Sequence, residues 1–87
     1  MDLEDYRQEI DRVNREIVDA VSRRMNIVEE IGDYKKQNGM DIKDEGREEV
    51  VKQQFEKLFE KEYLPKDKGR EFAELLIEMA VMEEKPQ

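Results

Sequence analysis

Eighty-seven residues leave room for one small domain, 1–87, and 37% apolar against 46% charged residues is a polar balance for a chain that must bury a core. A net charge of −8 disfavours nucleic acid and anionic membrane as partners. No apolar run approaches a membrane span or a signal-peptide core, so a cytoplasmic protein is expected. Cysteine and histidine are absent, which removes disulfides, thiolate chemistry, the usual neutral-pH general base and the commonest metal ligand; no metal and no cofactor are expected.

The first element is the clearest. In a repeat of seven, Leu3, Ile10, Ile17, Arg24 and Ile31 fall in one column, and Tyr6, Val13, Ala20, Ile27 and Tyr34 in its partner. High charge is also a mark of disorder, but this regular spacing argues for order. The seam runs through about 33 residues without proline, so it predicts one helix roughly 50 Å long. The remaining residues of a monomer cannot cover such a stripe, and a second copy of the chain is the simplest remedy. Val18, Val21, Met25 and Val28 widen the stripe from the middle onward. The other helices are therefore expected to pack there, leaving the N-terminal portion to another subunit.

Asn38-Gly39 has the residue types favoured at a left-handed C-cap. A second helix is expected from an Asp44 N-cap to about Lys61, with Val50, Val51, Phe55, Leu58 and Phe59 as its apolar face. Leu64-Pro65 breaks it. A third helix from about Lys66 carries Phe72, Ala73, Leu75, Leu76, Met79, Ala80 and Met82, and Pro86 stops it. The reading is all-α: three helices of unequal length.

Several residues break this pattern. Arg24 stands where the seam calls for an aliphatic side chain, so it snorkels outward, marks an oligomer register, or meets an anion. Lys35 returns to nearly the same face about 16 Å along the axis. Two cations aligned over an apolar groove suit the two ends of a small dianion. Arg7 lies beside the seam about 25 Å before Arg24, so it can join Arg24 only from a second copy. Asp44 and Glu48 suit a helix N-terminus, whereas Arg47 and Gly46 do not. That local cost is a mark of function. Gly32, inside a strong helix, points to close helix approach. Glu84 follows Ala80 by four residues on the inner face of the third helix, at its C-terminal end.

Taken together, Arg7 with Ile10 and Asp11, Ser22-Arg23-Arg24-Met25, Ile31-Gly32 with Lys35, and Asp44-x-x-Arg47-Glu48 resemble the all-helical (AroQ-type) chorismate mutases. The likeness has matching spacings from Tyr6 to Val51 and is weaker over the third helix. It implies an intertwined homodimer of three-helix protomers with paired first helices and two equivalent sites. Each site would take Arg24, Lys35, Asp44, Arg47, Glu48 and Glu84 from one chain and Arg7 from the other. The implied substrate is chorismate, rearranged to prephenate in aromatic amino-acid biosynthesis without nucleophile, metal or redox cofactor. The resemblance assigns the carboxylates to Arg7, Arg24 and Arg47, and the ether oxygen with a carboxylate to Lys35. It assigns the ring hydroxyl to Glu48 with the backbone near Asp44.

This chain departs from the common pattern twice. Ala80 stands where many members carry a hydroxyl, and Glu84 where many carry glutamine. A glutamate donates to the ether oxygen only when protonated, so activity is expected to fall as pH rises, and a Glu84→Gln variant to flatten that limb. Two rival readings use the same residues: an isochorismate pyruvate-lyase on this scaffold, and a non-catalytic helical dimerisation module in which Arg24 and Lys35 are solvated and replaceable.

Overall fold

A computed structural model describes residues 1–84, with side chains through Glu83. The described residues form three helices and no strand: α1 (Leu3–Gln37), α2 (Glu45–Lys61) and α3 (Lys66–Glu84). Pro86, expected to stop the third helix, lies outside them, as does the side chain of Glu84. No described helix is long and apolar enough to cross a membrane.

Each end has a local cause. Asp2 caps α1 by accepting from the Asp5 backbone N–H at 2.9 Å, and the Asp5 carboxylate accepts from the Asp2 N–H at 3.1 Å. At the other end Gly39 takes φ +63°, so that its N–H reaches the Lys36 carbonyl and the Met40 N–H reaches that of Lys35. This is the left-handed C-cap expected at Asn38-Gly39. The same pair of bonds closes α2, from Tyr63 N–H to Glu60 and from Leu64 N–H to Phe59. There the left-handed residue is Tyr63, at φ 60°. The chain therefore turns at Tyr63, one residue before the Leu64-Pro65 step expected to break it, and α3 starts directly after Pro65.

α2 and α3 fold back on each other as a hairpin, with the Phe72 ring 5.5 Å from Phe55 and 6.1 Å from Phe59. Gly69 makes the contact possible: a Cβ there would lie 2.6 Å from the Phe55 carbonyl oxygen. Beside it Arg70 binds across the hairpin to Glu49 at 2.9 Å and Glu56 at 3.0 Å. α3 also packs on α1. Val28 of α1, Val51 of α2, and Ala73 and Leu76 of α3 form the buried apolar core. Gly32 of α1 is buried too.

That core is thin. Leu58, Leu75 and Met82 of the expected apolar faces stay exposed, as does Val50. The protein extends 56 Å along its longest axis with a radius of gyration of 16.1 Å, against about 12 Å for a compact chain of this length. The excess is α1, which is exposed at every residue from Leu3 to Ala20. Leu3, Tyr6, Ile10, Val13 and Ile17 keep 47–62% of their surface in solvent. Cover begins only at Val21, where the widened stripe meets the other helices.

Candidate active site

The C-terminal half of α1, the start of α2 and the end of α3 converge on a cavity of about 310 Å³, at the small end of ligand pockets (~300–1,000 Å³). Its walls are apolar: Ile27, Val28 and Ile31 from α1, Val51 from α2, Ile77 and Val81 from α3. Set into them are Arg24, Lys35, Asp44, Arg47 and Glu48, with Ala80 on the α3 side.

The turn at the start of α2 fixes three of these. Asp44 Oδ1 accepts from the Arg47 backbone N–H and the Asp44 carbonyl from that of Glu48, both at 3.0 Å. The Asp44 carboxylate is thus engaged as the cap, and the turn it stabilises presents Arg47 and Glu48 together at the cavity. A cation in this first turn opposes the helix dipole, so its place is explained by the cavity and not by the helix. Gly46 is a different matter: an added Cβ would meet only Asp44 Oδ1, at an ordinary 3.5 Å, so packing does not require glycine there.

α1 contributes the other cations. Arg24 is half-buried, and its Nη1 is fully buried with no hydrogen-bond partner among the described residues. Burial, and after it the charge of Arg47, pushes its pKa below the ordinary arginine value. An unsatisfied charged donor facing a second cation is an arrangement that an anion relieves. Lys35 is also half-buried and donates its Nζ to the Ile42 carbonyl at 2.6 Å.

The cavity brings together Arg24, Lys35, Asp44, Arg47, Glu48 and Ala80, all singled out from the sequence. Arg7 does not line it and is exposed on the uncovered half of α1. The Glu84 side chain lies outside the described residues. Sequence reasoning did not single out Ile42, Ile77 and Val81 as lining residues. The available signals were an isolated isoleucine in a polar connection, and an i, i+4 pair flanking Ala80. No group of three or more acidic side chains among the described residues could hold a metal ion.

Among the described residues, three cations against two carboxylates, one of them used as a cap, make this apolar-walled cavity locally electropositive in a chain of net charge −8. No serine, threonine, cysteine or histidine among the described residues lines it. Fold and site define an all-helical protein suited to hold and polarise a small organic anion. A family model, chorismate mutase type II, matches residues 6–85, and the chain belongs to that family. No curated protein and no solved structure matches it.

Proposed function

We propose that the protein is a chorismate mutase, rearranging chorismate to prephenate in aromatic amino-acid biosynthesis, and that it works as a homodimer with two sites. The observation that carries this reading is the buried, unpartnered Nη1 of Arg24 beside Arg47 and Lys35 in an apolar-walled cavity. A dicarboxylate supplies the missing acceptors. The uncovered stripe on the first half of α1 supports a second copy, whose Arg7 would complete the cation set.

The reaction breaks one C–O bond and forms one C–C bond within a single molecule, so binding energy has two tasks. The first is to select the compact chair-like conformer. Arg24, Arg47 and Arg7 of the second chain fix the carboxylates, the apolar walls press the ring, and Glu48 accepts from the ring hydroxyl. The second is to stabilise negative charge growing on the ether oxygen, which falls to Lys35 and to Glu84 in its protonated form. Orientation and preorganised electrostatics each lower barriers by several kcal/mol in such sites. Ala80 offers no hydrogen bond.

Continuous ultraviolet measurement of chorismate loss, with prephenate identified as product, tests this reading. Turnover by the wild type and its collapse in Arg24→Ala are expected. Turnover of isochorismate alone would assign the lyase reaction, turnover of neither substrate would leave only a dimerisation module, and full activity of Arg24→Ala would take Arg24 out of the site.

A further inference from the structure

The connection between α1 and α2, residues 38–44, is exposed at every position but one. Ile42 is the exception: it is half-buried and lines the same cavity as Lys35 and Asp44. Its carbonyl accepts from Lys35 Nζ at 2.6 Å, short even for a charge-assisted bond. Lys35 is tied to this connection a second time, since its own carbonyl accepts from the Met40 N–H at 2.8 Å. One end of the connection thus grips Lys35 and the other ends in the Asp44 cap that presents Arg47 and Glu48.

We propose that Ile42 is a positioning residue: its inward side chain seats the α1–α2 connection, and its carbonyl then holds the Lys35 ammonium at the cavity. The physical basis is a division of labour within one residue. A backbone carbonyl in a polar, seven-residue connection has no fixed place of its own. An apolar side chain turned into the cavity wall gives it one, and a lysine with four rotatable bonds gains a defined end point. The kinetic part of the test rests on the mutase reading; the chemical part does not.

The test compares wild type, Ile42→Ala and Ile42→Val, each verified as folded by circular dichroism. Brief acetylation with a water-soluble active ester, mapped by peptide mass spectrometry, reads Lys35 reactivity against the exposed Lys57 and Lys61. Lys35 should react at least about fivefold faster in Ile42→Ala, and Ile42→Val should restore most of the protection. With chorismate, Ile42→Ala should lose about tenfold or more in kcat with a smaller change in KM, because a misplaced group costs most in the transition state. If Ile42→Ala melts below the assay temperature, Ile42→Thr gives the same reading with the β-branch kept. Lys35 reactivity within about twofold of wild type in the folded alanine or threonine variant would overturn the proposal. Absence of chorismate turnover by the wild type would refute the mutase reading instead, and the acetylation ratio would still decide the role of Ile42.

Discussion

Arg24 and Arg47 line one cavity from different helices, and Arg47 adds its charge to burial in weakening the hold of Arg24 on its proton. The free protein therefore carries an unfavourable pair that its ligand would relieve. Replacing Arg24 with methionine removes the orphaned donor and restores an apolar residue to the seam. Because the guanidinium is only half-buried, solvent screening limits the gain to about 1 kcal/mol. A thermal melt should rise by roughly 4–8 °C, while chorismate turnover falls at least about 100-fold. A variant that melts lower than wild type would show that Arg24 is satisfied in the free protein.

Gly69 sets the spacing of α2 and α3. Alanine there would gain up to about 1 kcal/mol of helix propensity, but its Cβ would sit 2.6 Å from the backbone oxygen of Phe55 and 2.8 Å from Phe59 Cγ. Backbone cannot step aside as a side-chain tip can, so the clash wins. Gly69→Ala should destabilise by about 1–3 kcal/mol in denaturant titration. An unchanged midpoint would mean that the helices separate at no cost.

The two helix ends show what a sequence can and cannot display. Gly39 announces its left-handed turn because the residue type matches the conformation, and α1 ends where it says. The identical turn at Tyr63 was invisible, since nothing about a tyrosine signals φ 60°. The same distinction holds for the site. Arg24 and Arg47 were legible because each violates the pattern around it, and Lys35 because it returns to the face of Arg24. Ile42, Ile77 and Val81 obey ordinary rules for apolar residues, and only the convergence of three helices reveals them as walls. Gly69 was likewise hidden: its reason is the Phe55 carbonyl on a different helix.

Tyr63 also carries a cost that can be measured. The left-handed conformation costs a residue with a Cβ about 1–2 kcal/mol, and the side chain is 98% exposed, so packing within the chain returns almost nothing. Tyr63→Gly removes the strain, partly offset by the greater freedom of glycine in the unfolded chain. The melting temperature should rise by roughly 2–4 °C. A fall would show that the tyrosine is held by contacts made outside one chain.

Glu49 gives the protein a pH-dependent element. The hydrogen bond from Arg70 holds its carboxyl below the ordinary glutamate range, with the charges of Arg70 and Lys52 adding to it and desolvation opposing. A depressed carboxylate contributes stability above its unfolded value and loses that contribution as pH falls through the folded one. Glu49→Gln should therefore melt slightly below wild type at pH 7, and the two should converge in strong acid. Both side chains are only half-buried and keep contact with solvent, so the difference is small. A gap that stays constant across the acid range would assign it to packing instead.

The sharpest test of the dimeric site uses two inactive proteins. Arg7 lies about 25 Å from Arg24 along α1, on the half of the helix that no other described residue of its own chain covers. If each site takes Arg24 from one chain and Arg7 from the other, Arg7→Ala and Arg24→Ala homodimers are both damaged at both sites. Unfolded together and refolded in equal amounts, they form mixed dimers. One site of each mixed dimer then has both arginines intact, while the other has lost both. Random pairing makes half the dimers mixed, each with one good site of two, so about a quarter of wild-type activity should return. Refolding each variant alone should return none. Failure of the mixture to recover activity, with mixed dimers demonstrated by mass spectrometry, would place Arg7 outside the site.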